Sequence, residues 1–206
     1  GFIMLSKNDK KKTLGTIFVG FAILMFGMDV MSDAVSPLAD MPEFGQLLIH
    51  FKNPIVGVLI GTLFTAAIQS SAASVGILQA LANSGLISLS SAVFVLFGQN
   101  IGTCITAVLA SIGTNRNAKR TTIIHLLFNI TGTIIFTIIC LASPLEHLVV
   151  SLTPNSPAAQ IANMHTTFNI VTTLLLIPFG NYLAKIATLI MPDSKDTAAK
   201  KNPLLA

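Results

Sequence analysis

Four polar side chains, Gln69, Ser70, Ser71 and Ser74, lie close together in a stretch that carries no charged residue. A hydroxyl group at the start of a helix can accept a hydrogen bond from a backbone N–H group, and the free N–H groups of such a helix end favour anions. The carbonyl groups that end a preceding helix suit a small cation. The cluster therefore indicates either a polar cavity that binds an anion together with sodium, or polar groups that satisfy one another.

A second polar cluster lies in the segment FGQNIGTCITA, residues Phe97–Ala107. Asn100 is a good residue for a helix N-cap, and glycine allows an unwound or closely approached backbone. We therefore expect a broken helix here, with a second half-helix beginning at Asn100. Neither cluster contains Lys or Arg, so a bound anion would depend on N–H groups, hydroxyls and co-bound cations. The polar and small residues of this cluster are Gly98, Gln99, Asn100, Gly102 and Thr103.

Close packing of helices is the alternative explanation for the small residues. Gly57-x-x-x-Gly61 and Gly98-x-x-x-Gly102 both have the spacing that lets two helices approach closely in a membrane. For Gly57, Gly61 and Thr65, packing is the favoured explanation. It is weaker for the large amide side chains, which are costly in lipid without hydrogen-bond partners. These are Gln69, Gln99 and Asn100.

The pattern His-x-x-Phe-Asn-Ile occurs twice, with the pairs His125/Asn129 and His165/Asn169. A spacing of four residues places each pair on one helix face. The pairs could be metal ligands or a proton relay, but hydrogen bonds between helices are the favoured role, because two histidines without a nearby acid make a weak metal site. A membrane enzyme that uses both histidines lacks a convincing acid or nucleophile, so we expect no enzyme.

The composition indicates a protein that crosses a membrane several times. Of 206 residues, 52% are hydrophobic and only 10% are charged, whereas soluble domains carry roughly 25% charged residues. No Asp, Glu, Lys or Arg occurs from Asn53 to Asn115, about three times the length of one spanning helix. The basic residues occur in short clusters between apolar segments, which is typical of topology signals and not of nucleic-acid binding.

Four spanning segments and a hairpin account for the apolar runs. The predicted spans are Leu14–Val35, Leu89–Ile112, Thr121–Ala142 and Ile161–Ala184. The basic clusters then share the cytoplasmic side, with both termini cytoplasmic, only if Pro54–Gly85 makes no net crossing. Its arms, Pro54–Ile68 and Ala72–Asn83, are short for spans and favour a re-entrant hairpin with Gln69–Ser71 at its tip. Two strongly compressed full spans remain the alternative.

The predicted fold class is therefore an all-α polytopic membrane protein with about four spans, a re-entrant helical hairpin and a broken helix. We divide the chain into a basic N-terminal segment (1–13), a membrane transport domain (14–191) and a polar C-terminal tail (192–206).

The stretch AAIQSSAASVGILQALANSGLISLSSAVFVLFGQNIGTCITAVLAS resembles the Gln-Ser-Ser-Ser hairpin and the Gly-x-Asn-Ile-Gly-Thr-Thr-x-Thr segment of type II sodium–phosphate cotransporters, especially their bacterial relatives. The resemblance implies two inverted repeats whose hairpin tips meet at a central site for phosphate and sodium. It implies phosphate contacts from Gln69, Ser70, Ser71, Asn100, Gly102 and Thr103. It also implies sodium contacts from Gln69, Ser71, Ser74, Gln99, Asn100 and Thr103.

Two departures from the family pattern remove a hydroxyl group each, at Ala72 and at Cys104. Only one Gln-Ser-Ser motif is present, and the chain resembles the second, C-terminal repeat of a transporter. The expected partners are phosphate, sodium, the lipid bilayer, and either a missing first repeat or a second chain. Two antiparallel copies would conflict with the consistent charge bias, so we favour a fragment.

The resemblance implies sodium-coupled phosphate transport by alternating access across the cell membrane, with this chain supplying one repeat. The alternative is a helical membrane assembly that transports nothing and in which the polar motifs hold helices together.

Overall fold

The computed structural model of the chain describes residues 9–35, 37, 41 and 50–192, and its regular secondary structure in those ranges is helical, with no strand among them. The predicted all-α class is confirmed. Two short 3₁₀ turns, His50–Lys52 and Ile177–Phe179, accompany the α-helices. The α-helices are α1 (Asp9–Val35), α2 (Pro54–Ile68), α3 (Ser71–Asn83), α4 (Leu89–Gly102), α5 (Cys104–Ser111), α6 (Arg116–Ala142), α7 (Leu145–Leu152), α8 (Pro157–Leu176) and α9 (Gly180–Ile190).

Four of the described helical segments are long and apolar enough to cross a membrane, which agrees with the four predicted spans and a polytopic membrane protein. They are Asp9–Met31, Leu89–Ser111, Arg116–Ala142 and Pro157–Ile190. The last combines α8, the 3₁₀ turn around Pro178 and α9, and it extends past the predicted end at Ala184. The first helix begins at Asp9, inside the predicted basic segment 1–13. The predicted tail 192–206 lies outside the described residues except for Pro192.

Helices α2 and α3 form the predicted hairpin, and their bounds match the two predicted arms to within one residue. Asn53 begins α2 because its side-chain oxygen accepts hydrogen bonds from the N–H groups of Ile55 (3.0 Å) and Val56 (3.3 Å). Pro54 occupies the first helical position, where its missing N–H group costs nothing.

Helix α4 is the centre of the molecule, and α2 packs against it almost backbone to backbone. A Cβ atom added to Gly61 would lie 2.0 Å from the Val95 carbonyl oxygen, and one added to Gly98 would lie 2.1 Å from that of Val58. Only glycine fits at such contacts, so packing is confirmed as a role of both small-residue motifs. Gly57 lies against Phe94, and Gly102 against Thr62, so the two helices run side by side in the same direction.

Both ends of the hairpin lie at the end of the molecule where α4 begins. The 3₁₀ turn before α2 packs on the start of α4, and the short connection 84–88 joins α3 to α4. Continuing the α2–α4 register places Gln69 beside α5, before the end of that helix at Ser111. Both ends of the hairpin therefore lie at one end of the bundle, and its tip points toward the other.

Helix α6 runs antiparallel to α4 and α5, since Thr133 donates to the carbonyl of Phe97 (3.1 Å) while Thr122 donates to that of Ala107 (3.3 Å). Its first turn lies with the end of α9, where the Arg120 guanidinium donates to the carbonyl of Met191 at 2.9 Å. Phe97 forms the aromatic centre of the core, with its ring centroid 5.2 Å from Phe168.

The predicted helix start at Asn100 is wrong. Asn100 lies inside α4, and the interruption between α4 and α5 is confined to Thr103. Thr103 keeps right-handed helical angles (φ −57°, ψ −28°), and its N–H group donates to the Gln99 carbonyl at 3.0 Å. The physical reason is that the Asn100 side chain donates to the Leu96 carbonyl of the preceding turn, so it does not cap a new helix.

Candidate functional site

The hairpin reverses at Gln69, which has the left-handed angles φ 58° and ψ 20°. Among the described residues it is the one non-glycine residue with positive φ. Its N–H group donates to the Thr65 carbonyl at 2.8 Å and closes α2, while its side chain is exposed. A left-handed residue ends many helices, but glycine is the usual choice because it has no Cβ atom to clash.

Ser70 is the N-cap of α3, which confirms the first of the two residues, Ser70 and Ser71, that the sequence offers for this cap. Its hydroxyl oxygen accepts from the Ala73 N–H group at 3.2 Å, and its carbonyl accepts from Ser74 at 3.0 Å. Ser71 is the first residue of the helix and is half-buried. The N–H groups of Ser71 and Ala72 belong to the first turn, where a helix has no carbonyl of its own to receive them. They are the groups that an anion at this end would meet.

Two hydroxyl groups join the hairpin arms below the tip. The side-chain oxygens of Thr65 on α2 and Ser74 on α3 lie 2.7 Å apart, and both residues are fully buried. Gln99 of α4 completes the group, because its side-chain N–H donates to the Ser74 carbonyl at 3.1 Å. We call Thr65, Ser74 and Gln99 the polar node.

The polar node contains an oxygen atom with no hydrogen-bond partner. Gln99 is only 2% exposed, and its Oε1 atom is among the buried side-chain atoms that no donor in the described residues reaches. An unpaired buried carbonyl oxygen costs about 1–3 kcal/mol. A cation in contact with Gln99 Oε1 would remove that cost.

Asn100 is held between two helices at the same level. Its side-chain N–H donates to the Leu96 carbonyl at 3.0 Å, and its Oδ1 atom lies 3.3 Å from Nε2 of His165 on α8. Asn100 is 8% exposed. The favoured role of the histidine motif, hydrogen bonding between helices, therefore holds for His165.

Gly102 and Thr103 lie at the end of α4, beside the hairpin. A Cβ atom on Gly102 would lie 2.5 Å from the Thr62 carbonyl oxygen, so this glycine has a packing role. The Thr103 hydroxyl donates to the Gln99 carbonyl at 2.8 Å. Their contacts with phosphate or sodium stay predictions.

The other motif residues form structural contacts. The Asn129 side chain donates to the His125 carbonyl (3.0 Å) and to the sulfur of Cys104 (3.4 Å), which joins α6 to α5. The Asn169 side chain donates to the His165 carbonyl at 2.8 Å and is exposed. Within the described ranges no three His, Cys, Asp or Glu residues are grouped as a metal site would require.

The structure brings together only part of the predicted site. Ser74 and Gln99 share the polar node, and Asn100 follows Gln99 directly, whereas the side chains of Gln69 and Ser71 lie at the tip and make no hydrogen bond with that node in the described structure. Thr65 was assigned to packing and is also a hydrogen-bonding member of the node. Thr65 lies four residues before Gln69, just as Ser74 lies four residues after Ser70. This symmetric spacing is the signal that could have identified Thr65.

Comparison with known proteins supports a transporter family. Residues 23–154 match the family described as Na⁺/Pi-cotransporter. The uncharacterized protein YqeW of Bacillus subtilis is 36% identical over 182 residues, which are 88% of this chain and 58% of YqeW. The putative inorganic phosphate export protein YjbB of Salmonella typhimurium is 25% identical over 204 residues, which are 98% of this chain and 37% of YjbB.

A mammalian protein also matches part of the chain. The sodium-dependent phosphate transport protein 2A of Rattus norvegicus is 33% identical over 100 residues, which are 47% of this chain and 16% of that protein. The chain thus spans well under two thirds of these relatives. No solved structure matches it. On the match over most of its length, the chain belongs to the Na⁺/Pi-cotransporter family.

Proposed function

We propose that this chain supplies one repeat of a membrane transporter that moves inorganic phosphate together with sodium by alternating access. Family membership supports the substrate class, as do the names of the relatives, one a putative phosphate exporter and another a sodium-dependent phosphate transport protein. The proposal includes a location in the cell membrane with both termini cytoplasmic, and it applies to either direction of transport.

The observation that carries the proposal is the conformation of Gln69. A non-glycine residue in the left-handed region costs roughly 1–2 kcal/mol, and the exposed Gln69 side chain makes no hydrogen bond in the described structure that would repay it. Strain of this kind is typical of functional positions. A glutamine kept at the hairpin tip is explained if its amide contacts substrate.

The phosphate part of the proposed site is the start of α3. The N–H groups of Ser71 and Ala72 and the positive end of the helix dipole favour an anion there, with hydroxyls and the Gln69 amide nearby. Because no Lys or Arg occurs between Asn53 and Asn115, nothing in this segment neutralises the phosphate charge. Co-bound sodium would supply the positive charge that neutralises the phosphate, which is why we propose coupled binding.

The sodium part of the proposed site is the polar node with its neighbours Asn100 and Thr103. Oxygen atoms of amides, hydroxyls and backbone carbonyls are suitable ligands for a hard cation. Gln99 Oε1 is already buried and unpaired, so it can bind an ion without first losing a hydrogen bond.

We further propose that the hairpin is re-entrant and that Gln69 lies within the membrane. With 15 residues, α2 rises roughly 22 Å, while the 23-residue segment Leu89–Ser111 rises roughly 34 Å and spans the hydrocarbon core. Backbone that reverses at such depth must lie in protein or face a watery cavity. We propose that the exposed side of the tip contacts a second hairpin, which a first repeat or another chain would supply. This contact would complete the site.

Phosphate-dependent thermal unfolding of the purified chain tests the proposal, with sodium compared against potassium. The parent is compared with Gln69→Gly, which removes the side chain but suits the left-handed angles, and with Thr16→Ala on α1 as a control. We expect phosphate to stabilise the parent and the control only with sodium, by about 2.7 kcal/mol at a concentration 100 times Kd. Gln69→Gly should lose this stabilisation.

Two results would contradict the proposal as stated. Equal stabilisation with potassium would exclude sodium coupling, and full stabilisation of Gln69→Gly would exclude a substrate contact from its side chain. If the parent does not respond, repeating the assay with a restored first repeat decides between a shared site and no site.

The second candidate function is a helical assembly that transports nothing. The hydrogen bonds among Thr65, Ser74 and Gln99 favour it, because they join three helices without any ligand. In that case no combination of ions stabilises the chain, even with the first repeat restored.

A further inference from the structure

The hydrogen bond between Asn100 and His165 has a defined direction. The Asn100 Nδ2 group donates to the Leu96 carbonyl at 3.0 Å, which identifies the oxygen end of the amide as the end that faces α8, since the opposite assignment would place two oxygens against each other. Oδ1 is therefore the atom that lies 3.3 Å from His165 Nε2. An oxygen of this kind only accepts, so Nε2 of His165 must carry the proton and donate.

Packing holds the two residues at this spacing. Met164 and Phe168, on either side of His165 along α8, are fully buried. The Phe168 ring stacks on Phe97 at 5.2 Å, one turn before Asn100 on α4. This contact between α4 and α8 beside the hydrogen bond holds the backbones of Asn100 and His165 at a constant separation.

We propose that His165 is a positioning residue for the ion site: its Nε2–H group fixes the Asn100 amide so that the second lone pair of Oδ1 stays available beside Gln99. This inference rests on the proposed function, in which Asn100 and Gln99 bind sodium. The side chain of His165 touches no ion itself. It sets the orientation of an oxygen that does.

The second copy of the motif provides a matched control inside the same chain. His125 occupies the same position in the pattern His-x-x-Phe-Asn-Ile, but there the backbone carbonyl accepts hydrogen bonds from Asn129 and from the thiol of Cys104. A substitution of the His125 side chain keeps that carbonyl. It therefore changes an imidazole of similar sequence context without changing Asn100.

The binding test compares His165→Gln and His165→Leu with His125→Gln and His125→Leu. Glutamine can place an N–H donor near the position of Nε2, whereas leucine cannot donate. The measurement is the sodium concentration that gives half of the phosphate-dependent thermal stabilisation of the full chain. We expect His165→Leu to raise it about three- to tenfold, the effect of one lost neutral hydrogen bond, and His165→Gln to stay within about twofold.

The inference is overturned if His165→Leu leaves the sodium requirement unchanged, or if the glutamine and leucine variants at 165 weaken binding equally. It is also overturned if His125→Leu has the same effect as His165→Leu, because the effect would then be a general loss of packing.

A second measurement needs neither the leucine variant nor binding. ¹⁵N NMR of the histidine-labelled parent protein, with the His165 signals assigned by their loss in His165→Gln, reports which ring nitrogen is protonated. We expect a proton on Nε2, and an unprotonated Nε2 would overturn the inference. If the parent shows no sodium-dependent phosphate response, the proposed function fails, while this spectrum still decides whether His165 donates to Asn100.

Discussion

At the scale of single residues, the hairpin tip separates two kinds of polar side chain. Ser70 stabilises the fold directly, because its hydroxyl oxygen caps α3, whereas Gln69 makes the turn in spite of its side chain. Neighbouring residues in one motif thus have different roles. Substitutions at the two positions should affect stability and binding separately.

Ser70→Ala should lower the free energy of unfolding by about 1 kcal/mol, since the Ala73 N–H group loses its partner. Ser70→Asn should retain most of the stability, because asparagine caps helices equally well. Denaturant or thermal unfolding in detergent measures both. The matched control is Ser88→Ala, at the start of α4, where the serine side chain makes no cap hydrogen bond. Equal losses for Ser70→Ala and Ser88→Ala would contradict the capping role.

The contacts between different helices were harder to predict from the sequence than the helix caps. The sequence predicted a cap at Ser70 or Ser71, because a serine before a helix has one common use. It assigned the same use to Asn100, which in the structure donates to its own preceding turn. The partners Thr65 and His165 depend on which helices meet, and one sequence does not contain that information.

At the scale of helices, α2 and α4 lie in contact through their backbones, and glycine alone permits this contact. A Cβ atom added to Gly61 or Gly98 would lie only 2.0 or 2.1 Å from a carbonyl oxygen on the facing helix, not much more than the length of a covalent bond. Backbone atoms cannot move aside as a flexible side chain does, so the helices would have to separate.

Gly61→Ala and Gly98→Ala should each destabilise the protein by about 1–3 kcal/mol or more, the usual effect of overpacking. Gly20→Ala in α1 is the control, because an added Cβ atom there meets nothing within 4 Å. That substitution should leave stability unchanged or raise it, since alanine is the better helix former. Thermal unfolding of the three variants decides, and tolerance of Gly61→Ala would refute the tight contact.

The helix bounds were predictable where caps and apolar runs coincide, as in the two arms of the hairpin. The helix bounds were less predictable where caps and apolar runs are weak or absent. Helix α7, Leu145–Leu152, falls between the predicted spans Thr121–Ala142 and Ile161–Ala184, in a segment for which no helix is predicted. It buries Val149 while Leu148 and Leu152 stay exposed, a pattern too short to be recognised by periodicity.

At the scale of the whole molecule, the connections sort to two ends. The turn before α2, the connection between α3 and α4 and the start of α8 share one end, since Asn83 and Gln79 of α3 bond to the backbone of Ala158. The start of α6 and the residues after α9 share the other, through Arg120 and Met191. The sequence predicted the same grouping of connections from the lengths of the apolar runs together with the charge bias, because basic residues select the cytoplasmic side of a membrane. That the end with Arg120 faces the cytoplasm stays a prediction.

Labelling of single cysteines in a cysteine-free background tests that arrangement in cells. Lys52→Cys, Ser88→Cys and Asn155→Cys should react with an impermeant thiol reagent from one side of the membrane, and Thr114→Cys from the other only. All four positions are exposed. Reaction of Lys52→Cys and Ser88→Cys from opposite sides would rule out a hairpin. A spin label at Gln69→Cys should report greater membrane depth than one at Thr114→Cys, as two full spans would not.

The glycine contact between α2 and α4 also limits how the protein can change shape. Two backbones in direct contact have no side chains between them to rearrange, so we expect the two helices to move as one rigid body. A rocking motion that opens the proposed site first to one side and then to the other must carry α2 and α4 together. Its pivot then lies elsewhere, on surfaces where side chains intervene. In the proposed mechanism, the first arm of the hairpin would therefore anchor the tip and not act as a gate.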